Sequence, residues 1–208
     1  MTTIYLVRHS KVLKPNNEYT KDNLQLQNEK WILSLEGEQI AKKRFDSSIF
    51  DDVDCVYSSN YIRAISTAKY VALKNNLDIN VIDDFGERKF GISSWDELPN
   101  HFERKQFIDE NYKIGDGENQ KEVRDRMYSA VMQILNKHKN KKMVIISHGT
   151  AISYLLKKWC NVEIVDDKLR YKYNGKILLE GYFNYCETFQ LDFDEHNNLV
   201  YIENIKMN

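Results

Sequence analysis

The chain has 208 residues, of which 42% are hydrophobic and 29% charged, and it contains only two prolines. This length suffices for one buried core, and this composition excludes a disordered or linker-rich chain, so one domain over residues 1–208 is predicted. The formal net charge of −1 provides no overall field for a nucleic acid or a membrane surface, so neither is expected as a partner.

The cysteines and the N-terminus indicate the compartment. Cys55, Cys160 and Cys186 are scattered without CxxC spacing, a pattern typical of reduced core thiols rather than of disulfides or a zinc site. The N-terminus lacks a basic region followed by a long apolar stretch, and no apolar run approaches the roughly 18 residues of a membrane span. We therefore expect a cytoplasmic protein.

Apolar runs and helical patterns alternate along the chain. IYLV (4–7), VDCVYSS (53–59) and MVIISHG (143–149) are typical of short strands. Helical periodicity is found between them, over 34–44, over 61–74 and over a stripe formed by Val123, Met127, Ala130 and Ile134. On the helix over 61–74, one stripe is predicted to consist of Tyr61, Ala64, Ile65, Ala68 and Ala72. The alternation predicts an α/β fold, a three-layer sandwich whose mostly parallel central sheet is flanked by helices.

Two segments depart from this alternation. Near the C-terminus, Phe189, Leu191 and Phe193 alternate with polar residues, and a polar turn then leads into LVYIENI. This pattern predicts an antiparallel hairpin at the edge of the sheet. The polar, aromatic-rich region over about 95–117 predicts a small, partly helical cap insertion.

Polar residues gather where the predicted strands end, and ligands of open α/β sheets bind beyond the carboxyl ends of the strands. One histidine after a strand is more often a hydrogen-bonded structural residue, but two in equivalent places favour a functional site. The three strand ends lead into Arg8, His9 and Ser10, into Ser58, Ser59 and a helix bearing Arg63, and into Ser147, His148 and Gly149.

Arg63 contradicts a local rule of helix formation. With Ser58 or Ser59 as N-cap, it falls in the first helical turn, where the helix dipole disfavours a cation. A bound anion offsets that repulsion, whereas an outward, solvated arginine is the alternative. Together with Arg8 and two imidazoles, the group favours a phosphoryl ligand, because guanidinium pairs with phosphate through two parallel hydrogen bonds. A metal site is disfavoured, since the arginines repel a cation and HExxH spacing is absent.

The chemistry of such a site follows from its residue types. A neutral imidazole can attack phosphorus, while the second histidine and both arginines stabilise charge on the equatorial oxygens. A proton donor for the leaving alcohol is also required. The stretch DDFGERKFGISSW offers Asp83, Asp84 and Glu87, and spacing alone does not select one of them.

Several ordered motifs together resemble a known family. LVRHS, SSNYIRAISTA, DFGERKFG, GENQKEVRDR and VIISHGT, between about residues 4 and 150, resemble the histidine phosphatase superfamily, in the branch of cofactor-dependent phosphoglycerate mutases and small phosphatases. The resemblance implies an enzyme that needs no metal or other cofactor. It implies that His9 accepts the phosphoryl group, that Arg8, Arg63 and His148 form the phosphate pocket, and that Glu87 serves as the acid and then as the base.

The loop after His9 departs from the family pattern of glycine, Glu or Gln, and Thr or Ser. Ser10, Lys11 and Val12 occupy these positions. Ser10 either donates a hydrogen bond to the phosphate or crowds it, and Lys11 either adds charge to the site or is solvated. The asparagine usual in the family falls on Pro15, with Asn16 and Asn17 beside it.

Three functions remain open at this point. A phosphatase acting on a small phosphorylated metabolite is favoured over a mutase, because mutases of this branch are typically longer. A non-catalytic phosphate-binding or regulatory protein is the third possibility, since the altered loop after His9 can bind without supporting transfer. Candidates for lining the far side of the site are Trp95, His101, Phe102, Arg104, Lys105 and Tyr112, although half-exposed packing of the cap would give the same composition.

Overall fold

The computed structural model describes residues 1–14, 22–166 and 168–207. Pro15, Asn16 and Asn17 lie outside the described residues, so the expected asparagine contact stays a prediction. Within these ranges the strands are β1 (Thr2–Arg8), β2 (Val12–Leu13), β3 (Ile32–Leu33), β4 (Cys55–Ser58), β5 (Ile79–Val81), β6 (Lys142–Ser147), β7 (Asn161–Val165), β8 (Lys168–Tyr173), β9 (Lys176–Glu180), β10 (Thr188–Phe193) and β11 (Leu199–Ile205). The α-helices are α1 (Leu24–Lys30), α2 (Leu35–Phe45), α3 (Ile62–Asn75), α4 (Phe102–Ile108), α5 (Gln120–Lys137) and α6 (Gly149–Leu156).

A six-stranded central sheet has the order β11-β10-β1-β6-β4-β5. The β1, β6, β4 and β5 strands are parallel, and the β10–β11 hairpin adds two antiparallel strands at one edge. The predicted mostly parallel sheet and its C-terminal hairpin are therefore confirmed. In the register of β1 and β6, Arg8 lies opposite Ser147. His9 and His148 therefore follow directly after the carboxyl ends of two neighbouring parallel strands.

Both faces of the central strands β1 and β6 are buried, which explains why these two strands are almost continuously apolar. Successive residues of a strand point to opposite faces. Ile4 and Leu6 accordingly belong to the core cluster that contains α5 and α6 residues, whereas Tyr5 and Val7 belong to the cluster formed with α2 and α3. The predicted three layers, helices on either side of a sheet, are confirmed.

The start of α3 differs from the prediction. Its N-cap is Tyr61, whose side chain makes no capping hydrogen bond, rather than Ser58 or Ser59. Both serine hydroxyls have other partners, because Ser58 Oγ donates to the Ser59 carbonyl and Ser59 Oγ bonds to His148. Arg63 is nevertheless the second residue of the helix, so its predicted place in the first turn is correct.

The predicted apolar stripes are largely correct. On α3, Ile65 is only half-buried and the other predicted members are buried, and on α5 the predicted stripe of Val123, Met127, Ala130 and Ile134 is buried throughout.

The cysteine prediction needs one correction. Cys160 and Cys186 are buried, but Cys55 is half-buried at the margin of the core. Cys55 is the first residue of β4, at the end of the strand away from the two histidines.

Sequence analysis did not predict two smaller sheets. The first is an antiparallel β7-β8-β9 sheet, and the second is the β2–β3 pair beside the loop after His9. Segments such as KLRYKY are rich in charge and lack a continuous apolar run, so their strands were not predicted.

The 95–117 insertion is partly helical as predicted, with one 3₁₀ turn at Trp95–Glu97 and the short α4. Among the helices of the described ranges, none has the length and apolarity required to cross a membrane.

Candidate active site

His9 follows the last residue of β1 and is 7% exposed. Its Nδ1 lies 2.7 Å from the Ser10 carbonyl oxygen, which only accepts, so Nδ1 carries the hydrogen and Nε2 keeps its lone pair. Arg63 Nε donates to that Nε2 at 3.1 Å. Burial, followed by the charges of Arg63 and Arg8, holds the pKa of His9 well below its usual value. The imidazole is therefore neutral at physiological pH, with Nε2 directed toward the arginine.

His148 is the N-cap of α6 and is fully buried. Its ring lies 5.1 Å from the His9 ring and 4.5 Å from the Tyr61 ring, measured between centroids. Ser59 Oγ lies 2.8 Å from Nε2, and Nδ1 has no hydrogen-bond partner among the described residues. Burial and the charge of Arg63 hold the pKa of His148 well below its usual value. The two histidines that sequence analysis associated are thus neutral neighbours in one site.

The two predicted arginines flank this histidine pair. Arg63 donates from Nη1 to the Asn28 carbonyl at 2.5 Å, and its guanidinium lies 4.6 Å from the Tyr61 ring centroid. Burial lowers the pKa of Arg63 to about 10. Arg8 donates to the Phe183 carbonyl through Nη1, whereas its buried Nε has no partner in the described chain. Both guanidinium groups remain cationic and create a local field for an anion in a nearly neutral protein.

Of the three candidate carboxylates, Glu87 is the one that contacts the start of α6, the helix that His148 caps. Its carboxylate accepts hydrogen bonds from the backbone amides of Thr150, at 3.3 Å, and of Ala151, at 3.0 Å, in the first turn of α6. Its charge also acts on both Arg8 and Arg63. The other two candidates, Asp83 and Asp84, are exposed in the preceding 3₁₀ turn. Glu87 is therefore placed differently from Asp83 and Asp84, and its role as the acid, which the resemblance implied, stays a prediction.

The loop after His9 uses its unusual residues for packing. Ser10 is fully buried and its hydroxyl donates to the Gly37 carbonyl at 2.6 Å, while its backbone amide donates to Thr67 Oγ1 at 3.0 Å. In this structure the one hydrogen of the Ser10 hydroxyl is directed at Gly37, and donation from Ser10 to a phosphate stays a prediction. Lys11 forms an ion pair with Glu36, and Val12 pairs with Leu33 in the β2–β3 sheet.

A cleft of about 1200 Å³ opens from the Arg8 side of the site. It runs between the α4 region and the β7–β9 sheet, and Gly149 and Thr150 also line it. Of the predicted lining residues, the cleft includes His101, Phe102, Arg104 and Lys105. Trp95 and Tyr112 do not line this cleft: Trp95 stacks on Trp31 at 6.0 Å, and Tyr112 packs against Phe102 at 5.8 Å, so the packing of the cap accounts for both.

The sequence matches the model of the histidine phosphatase superfamily (branch 1) over residues 4–178. The chain belongs to this superfamily. Its membership confirms the family resemblance and the predicted enzyme class, a histidine phosphatase.

Individual relatives of this histidine phosphatase agree with that assignment. An uncharacterized phosphatase of Bacillus subtilis (strain 168), PhoE, is 28% identical over 203 residues, covering 88% of this chain and 99% of the relative. YhfR of Bacillus stearothermophilus has a similar fold, with a TM-score of 0.71, 20% identity and coverage of 96% of this chain and 94% of that one. A mycobacterial glucosyl-3-phosphoglycerate phosphatase solved with VO3 has a TM-score of 0.70, 15% identity and coverage of 99% and 98%.

Sequence analysis missed several residues that support this phosphatase site. The Asn28 carbonyl accepts a hydrogen bond from Arg63, and Thr67 Oγ1 accepts one from the Ser10 amide. Arg126 on α5 donates to the backbone around Glu87. The only signal was indirect, since Thr67 and the RDR of α5 lay within motifs that carried the resemblance.

Proposed function

We propose that the protein hydrolyses phosphomonoesters through a phosphoryl group carried transiently on His9, without a metal. The observation that carries this proposal is the neutral His9, whose Nε2 lone pair faces the Arg63 guanidinium. When a phosphate binds between Arg63 and Arg8, one of its oxygens replaces His9 Nε2 as the acceptor from Arg63 Nε, which frees the Nε2 lone pair to face the phosphorus. The Ser10 carbonyl holds the ring hydrogen on Nδ1, so the ring keeps the tautomer and the orientation needed for attack.

In the first step, His9 Nε2 forms a bond to phosphorus while the bond between phosphorus and the ester oxygen breaks. Glu87, in its protonated form, gives its proton to the departing oxygen, which leaves as an alcohol. The phosphorylated imidazole retains its hydrogen on Nδ1, bonded to the Ser10 carbonyl.

In the second step, Glu87 accepts a proton from water as the water oxygen attacks phosphorus. The bond between phosphorus and His9 Nε2 breaks, inorganic phosphate forms, and His9 returns to its neutral form. Water and the ester are the only reactants, and the proton on Glu87 is restored by each cycle.

The surrounding groups stabilise the charge that spreads over the equatorial oxygens of the transferring phosphoryl group. Arg8 and Arg63 supply positive charge. Ser59 accepts from the Tyr61 amide at 3.4 Å, and we assign its hydroxyl hydrogen to His148 Nε2, 2.8 Å away. His148 then carries its own hydrogen on Nδ1, where no described residue accepts it, so this donor is available to a phosphate oxygen.

The cleft supports a hydrolase acting on a small phosphorylated metabolite. Its volume of about 1200 Å³ adjoins Arg8, so the alcohol portion of the substrate occupies it while the phosphate lies between the arginines. Pockets for small ligands are typically about 300–1000 Å³, so this cleft leaves room for the attacking water. A structural neighbour named as a glucosyl-3-phosphoglycerate phosphatase agrees with this substrate class.

The test is phosphate release from a panel of phosphomonoesters in the presence of a chelator, with the wild type and His9→Ala compared. We expect release by the wild type alone, and we expect wild-type protein quenched during turnover to carry phosphate in an acid-labile, alkali-stable linkage. Transfer of label to a second hydroxyl instead of water would identify a mutase. Tight phosphate binding without release from any ester would identify the non-catalytic binder, and activity lost in chelator would overturn the metal-free mechanism.

A further inference from the structure

The backbone around Glu87 is held by one arginine side chain from α5. Arg126 Nη1 donates to the carbonyls of Asp84, at 2.6 Å, and Gly86, at 3.1 Å, and Nη2 donates to the Glu87 carbonyl at 3.2 Å. Three carbonyls in four residues therefore converge on one guanidinium. The planar fork of arginine allows this arrangement, which a lysine ammonium does not reproduce.

Glu118 completes the arrangement from the other side. Its carboxylate accepts from Arg126 Nε at 2.7 Å and Nη2 at 2.9 Å, and also from the Lys89 amide at 2.9 Å. The Glu118 amide in turn donates to the Lys89 carbonyl at 2.9 Å. The side chains of Arg126 and Glu118 are only 18% and 16% exposed, so solvent screens this ion pair less than a surface pair.

Glu87 is consequently held at two points. Arg126 and Glu118 hold its backbone, while its carboxylate is bonded to the Thr150 and Ala151 amides at the start of α6. The α5 and α6 helices pack against each other, so the two points lie on neighbouring elements. A displacement of the backbone near residue 87 changes the direction of the carboxyl group relative to His9.

We infer that Arg126 and Glu118 act as a positioning pair that aims the Glu87 carboxyl group at the leaving oxygen of the substrate. This inference rests on the proposed function, in which Glu87 is the proton donor. Proton transfer requires hydrogen-bond geometry, and misplacement of a catalytic group by about 1 Å costs on the order of 100-fold in rate. Among the described residues, neither side chain forms a hydrogen bond with Arg8, His9, Arg63 or His148. The charge of Arg126 also acts on His148, but that effect bears on every ester alike, whereas an effect through Glu87 depends on the leaving group.

A matched control lies two residues away on the same helix. Arg124 forms a bidentate ion pair with Glu110, at 2.8 and 3.1 Å, and its side chain is 15% exposed. It resembles Arg126 in burial and pairing but donates to Glu110 rather than to the segment around Glu87. If Arg126 only stabilises the fold, Arg124→Met and Arg126→Met should change the activity on different esters in the same way.

The experiment compares kcat/KM for an alkyl phosphate, whose leaving group needs a proton, with kcat/KM for 4-nitrophenyl phosphate, whose leaving group does not. We expect Arg126→Met to lower the alkyl value about 10- to 100-fold and the 4-nitrophenyl value less than about 3-fold. Arg126→Lys and Glu118→Gln should have the same selectivity with smaller losses. Arg124→Met should leave the ratio of the two values unchanged, and the inhibition constant of inorganic phosphate should stay within about 2-fold throughout.

Equal losses on both esters in the Arg126 variants, or an equal change of the ratio in Arg124→Met, would overturn the positioning role. If Arg126→Met does not fold, Arg126→Lys and Glu118→Gln decide by the same ratio. Glu87→Gln separates the two levels of the proposal. A selective effect in Glu87→Gln without one in the Arg126 variants overturns only this inference, whereas no selectivity in Glu87→Gln overturns the proposed role of Glu87 itself.

Discussion

Arg63 Nε donates a hydrogen bond to His9 Nε2 over 3.1 Å. An arginine in the first turn of α3 thus contacts the His9 nitrogen that carries the lone pair. The same guanidinium donates to the Asn28 carbonyl from α1. Arg63 therefore connects two helices to His9 through donors in one plane. Its unfavourable position near the positive end of α3 is compensated by these partners and, in our proposal, by the substrate phosphate.

Replacing Arg63 with lysine tests this geometry while conserving the charge. We expect kcat/KM for a phosphomonoester to fall at least about tenfold, because an ammonium group does not reproduce the planar set of donors. The measurement is steady-state phosphate release by Arg63→Lys. Lys69→Met on the same helix, which removes the 2.7 Å ion pair with Glu38, is the control and should retain wild-type kinetics. Unchanged kinetics in Arg63→Lys would exclude a role for the fork.

His148 makes stability dependent on pH. Burial lowers its folded-state pKa well below the usual value, so between that pKa and about 6.5 the unfolded chain binds a proton that the folded chain does not. Stability is therefore lost as the pH falls through this window. Between pH 7 and pH 5 the unfolding free energy of the wild type should decrease. We expect the decrease in His148→Gln to be smaller by about 1–2 kcal/mol.

Urea denaturation at pH 7, 6 and 5 measures this difference. His196→Gln is the control, because the His196 side chain is 76% exposed, and it should follow the wild type. Parallel pH dependence in His148→Gln and the wild type would show that His148 does not lose its proton on folding.

Ser10 is expected to contribute to stability rather than to phosphate binding. Ser10→Ala removes the hydroxyl that donates to Gly37 and leaves a buried carbonyl without this partner, at a cost of about 1–2 kcal/mol. Because the hydroxyl is directed away from the phosphate, kcat/KM should stay within about threefold of the wild type. Urea denaturation and phosphate release measure the two quantities. A tenfold rise in KM without a loss of stability would place the hydroxyl on the phosphate after all.

Gly37 provides the space for the loop after His9. A β-carbon at this position would lie 2.0 Å from the Lys11 carbonyl oxygen and 2.9 Å from its carbonyl carbon, both backbone atoms. We expect Gly37→Ala to destabilise the protein by about 1–3 kcal/mol, despite the better helix propensity of alanine. Thermal unfolding measures the effect. Gln39→Ala at an exposed position of the same helix is the control, and an equal or higher melting temperature for Gly37→Ala would contradict the close contact.

Much of the architecture was predictable because it depends on local patterns. The apolar run ending at His9 and the run ending at His148 each have the composition of a buried strand, and parallel strands place their carboxyl ends at one edge. Helix α2 begins after Ser34 as its periodicity predicted, because the Ser34 hydroxyl accepts from the Gly37 amide. The β7–β9 sheet was missed, since its strands pair among themselves and carry many charged residues.

The sequence by itself determined which residue types end each strand, and hence that two histidines and two arginines meet at one edge of the sheet. Only the tertiary structure decided which way individual side chains point. Glu87 is distinguished from Asp83 and Asp84 by amides of α6, more than 60 residues away, at positions 150 and 151. The Ser10 hydroxyl is directed at α2 because it donates to the Gly37 carbonyl. Such contacts join segments distant in the chain, and local periodicity encodes which face of an element is buried but not which partner lies against it.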